Sequence, residues 1–234
     1  MKCFGRLPKK NDPRTLKLAK YAANLPPAPS QVEYAPPGLN WEMAGNDQFG
    51  DCVLACKYHM LKSWIMDESS IEFKVPEKEI TTKYFQLTGG RDAGLNLLDV
   101  NNEFKSNGLF GHKIDGYAQV NVKDLAEVKQ AIYLFGGLDI GISVLPQFEQ
   151  AAPGGVWKGK GRSLGGHGIP LLGYDDAKKL FTLCSWGSIY YLDYDCFSYV
   201  CDEGYALMSP DWCNQFSPAG FNCTELQNDL QLLT

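Results

Sequence analysis

Between Cys52 and about Asp67 the apolar residues recur every three or four positions, with Cys52, Cys56, Met60 and Trp64 in one stripe and Val53, Leu61 and Ile65 beside it. That period predicts a helix, and the width of its apolar face predicts burial at the centre of the fold. Further helices are predicted at about 77–88, 96–107 and 123–135, each closed by a glycine that can take the left-handed position beyond a C-terminus. After Gly137 the pattern changes to short apolar runs split by turns, "LDIGISVL", "HGIPLLGY", "KLFTLCSW" and "YALMS", which predict antiparallel strands. The fold class expected is α+β, a helical lobe at about 45–135 followed by a sheet lobe at about 136–234. Residues 1–40 show neither period and carry prolines from Pro8 to Pro37, including "LPPAPS" and "APPG". They predict an extended arm laid over the 41–234 domain or over a partner.

Composition narrows the classes. With 44% hydrophobic residues in 234, the chain can build a sizeable core. The net charge of -5 gives no basic footprint, which argues against nucleic acid or an anionic membrane surface as the main partner. The basic N-terminus has no apolar run after it, and the longest apolar stretch, residues 131–145, is interrupted by Asp139. A soluble, non-exported chain, cytoplasmic or carried in a particle, is the expectation. The chain has 8 cysteines, and the C-terminal four, Cys196, Cys201, Cys213 and Cys223, lack the short paired spacing of a zinc knuckle. Buried thiols or one or two disulfides are expected there, with no metal and no cofactor.

The stretch "GNDQFGDCVLACKYHM" places Cys52 just after a glycine-rich turn, at the first turn of the predicted helix. The positive end of a helix dipole favours thiolate, so Cys52 is a candidate nucleophile, though a small buried thiol satisfies the same pattern. Asp51 opposes thiolate if its carboxylate faces the sulfur, and is neutral in this respect if it caps the helix and points away. A nucleophilic thiol needs a base. Of the 3 histidines, His59 lies two turns along the same helix and His112 sits in a turn, whereas His167 opens "GGHGIPLLGYDD" among small neighbours at a strand start. His167 is therefore the candidate base.

Four segments in order along the chain resemble the papain-like cysteine peptidases: "LPPAPSQVEYAPPGLNWEMAGNDQFGDC", "LTGGRDAGLN", "GGHGIPLLGYDD" and "LCSWGS". The resemblance implies a two-lobe papain-like fold, with Cys52 as nucleophile, His167 as base and acid, and the cleft between the lobes. It implies Asn46, six positions before the cysteine, as oxyanion donor, with Gln48 as the alternative. It implies substrate backbone along Gly89 and Gly90, and Trp186 shielding the site. It departs from the family at Cys184, where asparagine normally orients the histidine; Ser185, a backbone carbonyl or no group must then hold the ring. Asp202 and Glu203 in "CDEGY" read either as an alternative orienting pair or as a solvated turn. The "GND..GDC" opening and "CDEGYALMSPDW" are similar to bacteriophage and prophage members.

Two functions are consistent with these residues. One is a cysteine peptidase or amide hydrolase acting on peptide or protein substrates through Cys52 and His167. The other is a catalytically weakened papain-fold structural or binding component, as of a phage virion, that contacts other virion proteins through the arm. Cell-wall amidases and transglutaminase-like folds share the Cys-His order but fit the spacing or the "SWG" segment less well.

Overall fold

The computed structural model describes residues 2–21 and 27–212. Helix α1 (Cys52–Ser69) starts after Asp51 and ends where Ser70 turns left-handed, its N–H bonded to the Met66 carbonyl. From Cys52 to Trp64 every residue is buried, Lys57 and Lys62 included, so α1 is the central helix that the apolar stripe predicts. Around it stand α2 (Glu77–Leu87), α3 (Leu97–Ser106) and α4 (Leu125–Phe135). Asn96 and Asp124 cap the last two by accepting backbone N–H groups from the first turns, and Gly136 closes α4 in the left-handed conformation.

The second part is a sheet. Strands β4 (Leu138–Val144), β6 (Gly165–Asp175), β7 (Leu180–Ser185), β8 (Ser188–Asp193) and β9 (Cys201–Met208) pair antiparallel, with β4 between β9 and β6. Short helices α5 (Pro146–Gln150) and α6 (Tyr194–Val200) and a two-residue strand β5 (Val156–Trp157) complete this half. Three strands lie earlier than the apolar pattern places a sheet. In the arm, β1 (Leu16–Lys17) pairs parallel with β3 (Gly116–Gln119), and β2 (Gln31–Glu33) extends the edge of β6 beyond β4. Two to four residues hold too few positions to display a period of two, which is why they escape a pattern search.

The hairpin β7–β8 turns on two residues, Trp186 and Gly187, both left-handed, with Ser185 and Ser188 paired across it. A tryptophan rarely takes that conformation. Here its ring is held by stacking on His167, with centroids 4.6 Å apart, and by a tilted contact with Trp157.

Asp139, which interrupts the apolar run before β6, is fully buried in β4 and forms an ion pair with equally buried Lys57. Asn101 Nδ2 at 3.2 Å and the Cys56 thiol at 3.3 Å also donate to it. The carboxylate thus joins α1, α3 and the sheet at one point. Asp139→Ala leaves a buried ammonium without its partner and is expected to destabilise the fold by about 3–5 kcal/mol, read from urea midpoints. Replacing both partners with apolar residues of similar volume is expected to recover most of that loss.

Candidate active site

Cys52 and His167, far apart in sequence, line one cavity of about 10 Å³ together with Asn46, Ser185 and Trp186. That volume is about enough for one water. The sulfur is placed by helix α1 and the imidazole by β6, and the Gly168 amide donates to Cys52 Sγ at 3.4 Å. His167 Nε2 is hydrogen-bonded to Ser185 Oγ at 2.8 Å, whereas Nδ1 is buried with no partner. The ring is therefore fixed through one nitrogen and free at the other. Cys184 also borders this cavity, where it packs with Trp41 and Leu172, but the ring is held by Ser185 instead.

The cleft is filled by the chain's own N-terminus. Leu95 N–H donates to the Gly5 carbonyl and Leu7 N–H to the Leu95 carbonyl, each at 2.8 Å, while Arg6 N–H reaches the Gly166 carbonyl at 3.0 Å. Phe4 packs edge-on against both His167 and Trp186. Lys2 Nζ sits 4.5 Å over the Trp186 ring. Asn46 Nδ2 donates to the Cys3 carbonyl at 3.3 Å, and Cys3 N–H donates back to the Asn46 carbonyl at 3.1 Å. The Gly5 backbone amide lies near Cys52 Sγ and favours its thiolate.

Burial sets the protonation states. Desolvation pushes the Cys52 thiol up to about 11, outweighing the two amide hydrogen bonds that favour thiolate. Desolvation also lowers His167 to about 3, and the positive charges of Arg6 and Lys2 act in the same direction. With the arm in place the pair is neutral thiol and neutral imidazole. Asp51, whose carboxylate lies against Gly45, is raised to about 8 by burial and makes no side-chain cap bond.

Of the remaining candidates, His59 also borders this cavity and the others fall outside it. Gln48 is exposed and donates to Glu77, so Asn46 alone of the two amides reaches the cavity. Gly89 and Gly90 are exposed in the turn that closes α2, with open space around both; the arm's backbone runs instead beside Gly94 and Leu95. His59 is buried against the Glu42 carbonyl, and His112 bonds Asp211. Glu203 is neither solvated nor bonded to His167. It lies fully buried in β9 and, with Asp202, grips Arg6, because strand pairing turns it inward beside Gly141. Cys196 and Cys201 are buried free thiols; Cys213 and Cys223 lie outside the described residues. No group of metal-ligating side chains occurs among the described residues, and no helix there is long and apolar enough to cross a membrane. Sequence reasoning missed Phe4 and Arg6, which lie in an aperiodic segment whose only local signal is one basic residue beside a glycine.

No family model matches the chain, and no curated protein matches its sequence. Its structure is similar to xylellain, a cysteine protease from Xylella fastidiosa, with TM-score 0.70 and 18% identity, covering 89% of this chain and 96% of that one. It is similar to procathepsin B S9 from Trypanosoma congolense, with TM-score 0.63 and 9% identity, covering 88% and 86%. A third neighbour is the Carica candamarcensis cysteine protease CMS1MS2 in complex with E-64, at TM-score 0.55 and 13% identity, covering 77% and 99%. The fold is papain-like α+β, with a helical N-terminal lobe whose helix α1 starts at Cys52 and a C-terminal sheet lobe that carries His167. These likenesses give no support to a phage origin.

The lowered His167 pKa has a sign that can be tested. An opened site returns the ring toward an ordinary value near 6.5, so opening takes up a proton between about pH 6.5 and 3. The closed arm has its full stability above about pH 6.5 and loses up to about tenfold in population per unit below it. Hydrogen exchange at the Gly5, Arg6 and Leu7 amides, corrected for intrinsic rate, is expected to quicken from pH 7 to pH 4.5, with a smaller slope in His167→Gln.

Proposed function

We propose that this chain is a cysteine peptidase or amide hydrolase whose site is closed by its own N-terminal arm. The observation that carries the reading is the His167–Ser185 bond: it ties Nε2 in place and leaves Nδ1 to exchange a proton in the cavity that also holds Cys52. The papain-like fold agrees with it, since its structural neighbours include cysteine proteases.

In the opened site, His167 takes the Cys52 proton as the sulfur attacks a peptide carbonyl. Asn46 Nδ2 and the Cys52 amide N–H receive the developing oxyanion. Asn46 already donates to an arm carbonyl, that of Cys3, which stands in for a substrate oxygen. The imidazolium then protonates the leaving amine, and water activated by the neutral ring releases the acyl group. Ser185 does what asparagine does elsewhere in this fold, from the next position along the strand. Removing the arm lifts the desolvation that raises the Cys52 thiol and lowers His167, together with the two cationic charges that disfavour imidazolium, so thiolate and imidazolium become accessible together.

A second reading is favoured by the filled cleft itself: a papain-fold binding component whose sealed site no longer turns over. The two readings separate on opening the arm. In Arg6→Ala, Cys52 is expected to react with iodoacetamide at pH 7 at least tenfold faster than in the unaltered chain and far faster than Cys56, with His167→Ala in the same background cancelling the gain. A Cys52 that reacts no faster than Cys56 in the opened chain sinks the peptidase reading. Where peptide cleavage is measured, Ser185→Ala is expected to lower kcat/KM on the order of a hundredfold through loss of ring orientation.

A further inference from the structure

Arg6 occupies a pocket set into the sheet. Its floor is formed by Gly141 of β4 and Gly166 of β6, on strands paired side by side. A Cβ at Gly141 would meet Arg6 Nη1 at 2.5 Å, and one at Gly166 would meet Arg6 Nε at 3.3 Å. Gly141 thus makes room for the side chain, and Gly166 chiefly for the backbone carbonyl of the residue that carries it. At the end stand two carboxylates of β9. Arg6 Nη1 donates to Glu203 Oε1 at 2.5 Å and to Asp202 Oδ1 at 2.8 Å, and Nη2 donates to Asp202 Oδ2 at 2.9 Å.

Three facts show a site rather than an incidental ion pair. Glu203 is fully buried and its other oxygen accepts from Tyr205 O–H at 3.2 Å, so the carboxylate is held by its own strand whether or not the arm is present. Arg6 is only 8% exposed and its Nε is buried with no partner, so the pocket accepts a cationic head without matching every donor. The pocket also adjoins the candidate pair, since the Arg6 N–H donates to the carbonyl of Gly166, the residue before His167. The backbone groups that flank it, the Leu95 amide and carbonyl and the Gly166 carbonyl, are those any extended peptide in the cleft would use.

Resting on the peptidase reading, we infer that the pocket of Gly141, Gly166, Asp202 and Glu203 is the site's selectivity pocket for a basic side chain, which Arg6 occupies in the closed chain and an arginine or lysine of a peptide substrate occupies in the open one. Without a cation, a buried carboxylate is left with one hydroxyl partner, and a neutral side chain in the same space does nothing to relieve it. The arm closes the cleft by supplying the group that the pocket selects.

The test uses the full chain carrying Arg6→Ala and Cys52→Ala, so that binding is read without turnover. Hydrogen exchange at Gly5 and Leu7 first reports whether the arm is released. Two fluorescent peptides, identical except for arginine or norleucine at one position, are then titrated by anisotropy, with that position moved along the peptide. The arginine peptide is expected to bind at least tenfold tighter at one position, and adding Glu203→Gln with Asp202→Asn should bring the two within twofold. An arm that stays protected in Arg6→Ala overturns the proposal. So does equal binding of the two peptides, or no binding of either, once the arm is released. Failure of the peptidase reading looks different: the arginine preference in binding persists, while the Arg6→Ala chain with Cys52 intact cleaves neither peptide.

Discussion

The first turn of α1 rests directly on β6 because Gly168 carries no side chain; a Cβ there would meet Val53 at 3.2 Å. This approach brings a thiol from the helical lobe to the backbone of the sheet lobe and sets the Gly168 amide on the sulfur. The residue before Gly168 is His167, so the same contact fixes the imidazole relative to the thiol. Deeper along α1, the buried pair of Lys57 and Asp139 holds the helix to β4 and resists sliding that would undo the register. Cleft, pocket and arm binding site are all edges of this one helix-on-sheet contact.

Sealing such a site changes its chemistry as well as its access. Water that would stabilise thiolate or imidazolium is gone, and the arm adds two positive charges on the side of the histidine. Electrostatics and sterics therefore act together. The arm holds through backbone pairing at Leu95 and Gly166 and through side chains, Phe4 against His167 and Trp186 and Arg6 on the buried Glu203 and the half-exposed Asp202. Backbone pairing is indifferent to sequence, so whatever selectivity the docking has lies in the side-chain pockets.

How far the sequence could be read varies by element for physical reasons. The helix at Cys52 and the strand at His167 were legible because each is a sustained apolar run opened by a glycine-rich turn, and α2, α3 and α4 end near their glycines as expected. The short strands β1, β2 and β3 were not, being too brief to show one. Asp139 looked like an interruption in an apolar run, since a carboxylate reads as polar until its lysine is located. Glu203 read as a solvated residue for the same reason, its arginine lying almost two hundred positions upstream.

The sequence by itself determined the kinds of element, the placing of a thiol at a helix start and an imidazole at a strand start, and the residues able to do thiol chemistry. Side-chain period and capping are local, and a chain records them locally. Tertiary structure alone decided which groups meet. It chose Ser185 over Cys184 as the partner of His167, because only packing says which of two neighbouring strand residues reaches the ring. It laid residues 2–7 through the cleft, where no period marks them, because a cleft between two lobes exists only once the lobes have packed.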